Sequence, residues 1–350
     1  MRALVKTAPG EGHLELKEWP EPRPRRGEVK LKIAAVGICG TDIHIIKGAW
    51  TCRPPVVLGH EWCGTVIETA PDVRHLTPGD RVVSSNPART CGSCYHCRAG
   101  NDFMCPERVS AGYMIDGAFA DYLCIDAKRC HKLPDHVTFR QAAIGEPLAV
   151  AVHAVIERTA VHSGDLVLVS GPGCIGLLTM QVAKLEGAHV IIGGLGKDKA
   201  RLDCARSLGA DVVVNVEEQD LVDVVHHHSG GRGADLVYEC SGSPGSLARC
   251  WEAVRKEGVL APLGVYSGPI TTDFNKIMMK ELRVTGSYGY VWTSWQRTIQ
   301  LLAEGKIRAD EMISHVFPLE DYEQAFRVMQ DGTGIKVVLS PELRNLAVTV

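Results

Sequence analysis

Hydrophobic and polar positions alternate in short runs over the first 135 or so residues, and Val29-Lys30-Leu31-Lys32-Ile33 has the period of two expected of a half-buried strand. Pro20, Pro22, Pro24, Pro54 and Pro55 punctuate the loops of this part. The pattern predicts an all-β segment. From about residue 164 the texture becomes apolar strand, Gly turn, amphipathic helix and strand again. The strand-like runs are DLVLVS (165–170), HVIIG (189–193), DVVV (211–214), DLVYEC (235–240), GVLAPLG (258–264) and LRVTGS (282–287), with helical stretches such as Leu177–Leu185 and Lys199–Leu208 in their gaps. Repeated βα units predict a doubly wound parallel sheet, so the fold class is α/β with a separate β domain. After about residue 290, helices over Ser294–Glu304 and Leu319–Met329 lead to a last strand, Ile335–Leu339, expected to pack back on the first domain. The domains are thus 1–150, completed by 290–350, and 151–289.

Composition narrows the class. The 350 residues are 45% hydrophobic and 23% charged with a net charge of -3, as in an ordinary globular protein. The balanced charge lacks the basic excess of a nucleic-acid binder. There is no apolar run of membrane-spanning length, and MRALVKTAPGEGHLELKEW lacks the apolar core of a signal peptide, so no membrane partner and a cytoplasmic location are expected. In that compartment the 13 cysteines serve metal, catalysis or packing rather than disulfides. His226-His227-His228 reads as a helix end, because adjacent helical residues do not share a face.

Gly171-Pro172-Gly173-Cys174-Ile175-Gly176 follows the first predicted strand of the βα run and opens an apolar-faced helix. In this context it reads as a dinucleotide site: a tight turn, a close backbone approach to pyrophosphate, and a helix N-terminus offering N–H groups. The acid that would hold the adenosine ribose some 20 residues on is missing. Gly193-Gly194-Leu195 stands there, followed by Lys197, Lys199 and Arg201. Two readings follow: cations that hold the 2′-phosphate of NADP, or a solvated helix face. The cofactor is therefore NAD or NADP.

Cys91, Cys94, Cys97 and Cys105 put four thiols into one Gly-rich loop, a donor set suited to a closed tetrahedral zinc; an iron–sulfur cluster uses the same ligands. The remaining cysteines, apart from Cys39, are scattered through apolar segments and read as packing residues. Cys39-Gly40-Thr41-Asp42-Ile43-His44 and Gly59-His60-Glu61 add a thiolate, imidazoles and carboxylates at strand ends, a mixed set suited to a catalytic zinc with an open position.

These motifs, in this order over the whole chain, resemble the zinc-dependent medium-chain dehydrogenase/reductase family. Gly145-Glu146-Pro147-Leu148 is similar to its polyol (sorbitol and xylitol) dehydrogenase branch. The resemblance implies a GroES-like β domain joined to a Rossmann domain, and two zinc ions per chain. It gives Cys39, His60 and Glu146 as catalytic-zinc residues, with Glu61 as an alternating or water-mediated ligand, and Thr41 and His44 as the proton path. Gly171, Gly173, Cys174, Ile175, Gly176, Gly194, Leu195, Lys199 and Arg201 become the cofactor residues. The implied reaction is hydride transfer between a secondary alcohol of a polyol, cyclitol or sugar and a nicotinamide, by a homo-oligomer, a tetramer. Gly289-Tyr290 departs from the Arg-Tyr pair of sorbitol dehydrogenases. Trp50, Trp292 and Trp295 are read either as a ring-stacking pocket or as packing. L-Threonine 3-dehydrogenase, similar over Ile38–Ile45, is the alternative enzyme; a non-enzymatic zinc-ribbon module is the alternative of another class.

Overall fold

A computed structural model describes residues 1–343; positions 344–350, the end of the segment expected to complete the first domain, lie outside the described residues. The chain forms two compact units. The first comprises Met1–Glu146, Val291–Gly305 and the segment that begins at Ile313; the second comprises Pro147–Tyr290 and Lys306–Met312.

The first unit is built on the strand Glu28–Gly37, buried at eight of its ten positions. It pairs antiparallel with Glu61–Thr69, Tyr122–Asp126 and Lys336–Ser340, so three remote stretches of sequence meet on one strand. Lys336–Ser340 is the return expected of the chain's last strand. Leu31, Ile33, Trp62 and Phe119, all at most 1% exposed, fill the core beneath it. The β texture is interrupted by short helices, Gly40–Ile46 and Tyr95–Arg98, whose first residues follow Cys39 and Cys94. In both cases a cysteine stands at the helix N-cap, where the local turn rather than hydrophobic period sets the structure. A helix begins at Gly145 with Pro147 in its first turn, runs to Val152 and continues as a π-helix over His153–Thr159.

In the second unit six strands lie in the order Val212–Asn215, His189–Gly194, Leu166–Ser170, Ala234–Glu239, Val254–Pro262 and Arg283–Val284, every pair parallel. This is the doubly wound order, with a change of winding direction beside Leu166–Ser170. All five residues of that central strand are buried, as expected where helices cover both faces of a sheet. The predicted LRVTGS strand shortens to two exposed residues, Arg283 and Val284, because an edge strand has a ladder on one side only. The histidine run forms the last turn of the helix Leu221–His228.

Candidate active site

Strand register assembles the mixed metal site. Gly37 pairs with Glu61 across the ladder, and the chain leaves Gly37 through Ile38 to Cys39, the cap of the helix Gly40–Ile46. The Cys39 thiol, a His60 ring nitrogen and a Glu61 carboxylate oxygen consequently lie within 4.8 Å of one another. His60 and Glu61 are buried, 4% and 2% exposed. Glu146, also buried, is the second residue of its helix, and its carboxylate is not among these clustered ligand atoms. Thr41 and His44 are half-buried and stand three residues apart on the helix Gly40–Ile46, hence on one face.

Two groups around this cluster have partners that the sequence did not show. Asp42 Oδ2 accepts a hydrogen bond from the Cys39 backbone N–H at 2.9 Å, while Oδ1 lies 3.4 Å from His60 Nδ1. Those two buried atoms have no hydrogen-bond partner. Burial alone would lower the His60 pKa; the negative charges of Asp42 and Cys39 outweigh it and leave it well above the usual histidine value. Lys336 Nζ donates to Glu61 Oε2 and to the Ile38 carbonyl, the latter at 3.1 Å. A Cβ on Gly37 would stand 2.3 Å from Glu61 Oε2 and 2.5 Å from Lys336 Cε, so the ion pair occupies the room a glycine leaves. Asp42 was visible in its motif as the third residue after Cys39; Lys336, 275 positions from Glu61, had no local signal.

The thiols of Cys91, Cys94, Cys97 and Cys105 also lie within 4.8 Å of one another. Their loop is bonded as N–H to sulfur: Cys94 N donates to Cys91 Sγ at 3.3 Å, Cys91 N to Cys105 Sγ at 3.4 Å and Cys97 N to Cys94 Sγ at 3.5 Å. Backbone N–H groups of Ser93 and Cys94 bring the Cys91 pKa down to about 6. Burial, together with hydrogen bonding from Cys94, pushes that of Cys97 up to about 12. Four crowded sulfurs cannot all ionise without a cation, and a tetrahedral zinc relieves that conflict. Four thiolates would fill the closed shell of a tetrahedral ion, whereas a thiolate, an imidazole and a carboxylate would leave its fourth position open.

In the second unit Gly171 has φ +109°. A Cβ on Gly176 would come 1.9 Å from the Gly171 carbonyl oxygen, the close helix–strand approach the motif requires. Gly173 caps the 12-residue helix Cys174–Leu185 and has open space before it; Cys174 and Ile175 form its half-exposed first turn. A cavity of about 480 Å³ opens beside this turn, lined by Gly171, Gly194 and Leu195 and, unforeseen in the sequence, by Asp198, Glu217 and Arg249. Lys199 and Arg201 do not line it. They pair with Asp203 at 2.6 Å and Asp198 at 3.2 Å respectively. Glu239, fully buried at the end of its strand, accepts from Ser241 N, Gly242 N, Ser246 Oγ and Tyr266 Oη and so holds one wall of the cavity.

Of the three tryptophans, Trp295 is 1% exposed and stacks on His131 with centroids 4.9 Å apart. Trp292 tilts over the same imidazole at 4.8 Å, and Trp50 packs against the core of the first unit.

A doubly wound parallel sheet with a Gly-rich turn, together with a β unit carrying a mixed and an all-thiol group of candidate metal ligands, fits a metal-dependent nicotinamide dehydrogenase. Residues 25–135 match the alcohol dehydrogenase GroES-like domain and residues 174–304 match the zinc-binding dehydrogenase domain. The chain is 40% identical to a sorbitol dehydrogenase of Halalkalibacterium halodurans, covering 97% of this chain and 99% of that one. It is 36% identical to a D-arabitol-phosphate dehydrogenase of Enterococcus avium, over 97% of each, and 38% identical to an L-threonine 3-dehydrogenase of Pyrococcus horikoshii, over 97% and 98%. Among solved structures, a zinc-binding dehydrogenase of Sinorhizobium meliloti bound to NADP superposes with a TM-score of 0.88 at 30% identity, covering 97% of this chain and 99% of that one. An Escherichia coli alcohol dehydrogenase complexed with NADH gives 0.86 at 28% identity, with the same coverage. The chain belongs to the zinc-binding alcohol dehydrogenases, the medium-chain dehydrogenase/reductase family, with polyol dehydrogenases among its relatives. It is an alcohol or polyol oxidoreductase, and the zinc-ribbon binding module is set aside because full-length relatives are dehydrogenases.

Proposed function

We propose that the protein oxidises a secondary alcohol of a polyol, cyclitol or sugar, or reduces the matching ketone, with NAD or NADP. The observation that carries this reading is the Cys39–His60–Glu61 cluster, its imidazole and carboxylate buried and its thiol half-buried, in a chain similar over its whole length to a sorbitol dehydrogenase. When bound, zinc supplies a Lewis acid that lowers the pKa of an alcohol hydroxyl, and the dinucleotide accepts a hydride. In this reading Cys39, His60 and Glu61 hold the metal, with Asp42 orienting the imidazole from behind. Glu146 is the further carboxylate of this site, reaching the metal directly or through water, with Glu61 able to alternate with it. The Thr41 hydroxyl, able to accept and donate at once, takes the alcohol's proton, and His44 passes it on. The turn from Gly171 to Gly176 binds the pyrophosphate on its N–H groups.

The working form in this reading is a cytoplasmic homo-oligomer, a tetramer. Its supports are the absence of a helix long and apolar enough to cross a membrane among the described residues, and the exposure of Phe274, Met278 and Met279 close in sequence to the sheet's edge strand. Initial rates on a panel of polyols, cyclitols and threonine, with both dinucleotides, test the substrate. Polyols or cyclitols should be turned over well ahead of threonine. Turnover of threonine alone would replace this reading with that of L-threonine 3-dehydrogenase.

A further inference from the structure

Resting on the dehydrogenase reading, we infer that the cofactor is NAD rather than NADP, and that Glu217 is the residue that decides it.

The second strand of the parallel sheet ends at Gly194, where a ribose-binding acid would ordinarily stand. A side chain does not fit there. An ideal Cβ on Gly194 would lie 2.6 Å from Pro172 Cγ and 2.7 Å from Pro172 Cδ, inside the contact limit, and the proline ring belongs to the Gly-rich turn itself. The acid is therefore excluded by the residue chosen for the turn.

A carboxylate reaches the same place from the next strand. Glu217 follows Val212–Asn215, lines the dinucleotide cavity, and through Oε2 accepts a hydrogen bond from the Gly196 N–H at 2.8 Å. Position 196 must stay small for this, since a Cβ would stand 2.4 Å from Glu217 Oε2. One such bond leaves the carboxylate with further lone pairs, enough to accept from ribose hydroxyls.

The charge around the cavity points the same way. Asp198, Glu217, Glu218 and Asp220 line it against a single cation, Arg249, which is itself paired with Asp220. The cations that the sequence offered to a 2′-phosphate, Lys197, Lys199 and Arg201, are outside the lining; Lys199 is paired with Asp203, and Arg201 with Asp198. A phosphate dianion beside this set meets repulsion, whereas a 2′-hydroxyl finds an acceptor.

Binding of NADH and NADPH, titrated separately on the wild type, Glu217→Gln and Glu217→Arg, tests the assignment, with thermal unfolding as the check that each variant is folded. The wild type should bind NADH at least about tenfold more tightly than NADPH, and raising the salt concentration should narrow the gap by screening the repulsion. Glu217→Gln should shrink the preference, and Glu217→Arg should abolish or reverse it. Gly194→Asp, which introduces the usual acid against Pro172, should weaken NADH binding rather than strengthen it. Equal or tighter NADPH binding by the wild type, or a preference unchanged in both Glu217 variants, overturns the inference while leaving the dehydrogenase reading in place. Failure of the folded wild type to bind either dinucleotide would overturn both.

Discussion

Burial sets what three ionisable side chains of the first unit can do. Glu61 and Lys336, each 2% exposed, are held as an ion pair, so neither pays for its desolvation alone. Because Lys336 already bonds Glu61 Oε2, the carboxylate can turn its other lone pairs to a metal without losing its cation. His131 is the opposite case. Burial, aided by the charge of Arg129, brings its pKa down to about 4, and the ring stays neutral in its stack with Trp295. An unfolded histidine takes a proton near pH 6.5, well before the folded one does. Stability should therefore be full above that pH and fall as the pH drops toward 4, by about 3 kcal/mol in all from this residue. Denaturant titrations across this range should show the decline in the wild type and a shallower one in His131→Gln. Identical pH profiles would mean that the imidazole is not protected by its stack.

At the scale of elements, legibility followed the reach of the physical signal. The strand Leu166–Ser170, the glycines of the turn after it and the helix Cys174–Leu185 were readable because period, turn and helix start are neighbours in sequence. The four-cysteine loop was readable for the same reason, its ligands spanning 15 residues. Glu217 was not. Its relevance comes from the pairing of His189–Gly194 with Val212–Asn215, which places two loops side by side at one end of the sheet. Lys336 was hidden for the related reason that its strand joins Glu28–Gly37 from the far end of the chain. The helix Gly40–Ile46 was obscured by a different cause, since its seven residues are too few for a helical period to stand out from the β pattern around it. The cysteine loop has little regular structure besides the four-residue helix Tyr95–Arg98, so the metal should supply much of its order. Cys94→Ser should release about one zinc per chain and lower the unfolding temperature. Full zinc content with unchanged stability would deny the loop its structural role.

For the whole molecule, each unit carries one half of the proposed chemistry: the first the two clusters of candidate metal ligands, the second the cavity beside the Gly-rich turn. Relatives that match 97% of the chain show that both halves belong to one enzyme. The proposed oligomer is tested at this scale too. Phe274, Met278 and Met279, each at least 70% exposed, would be costly to leave in water. Sedimentation equilibrium should return a multiple of the 38.0 kDa chain, with Met278→Glu shifting it toward the monomer. A wild-type monomer at working concentration would remove the tetramer from the account.

The most direct test of the central claim is the rate of polyol-dependent dinucleotide reduction in one preparation before chelation, after it and after zinc is returned, with Cys39→Ser carried alongside. The wild-type rate should vanish with the metal and recover with zinc, and the variant should stay at least about 100-fold slower throughout. A rate that survives metal removal, or a variant as active as the wild type, would contradict alcohol oxidation at the Cys39–His60–Glu61 cluster.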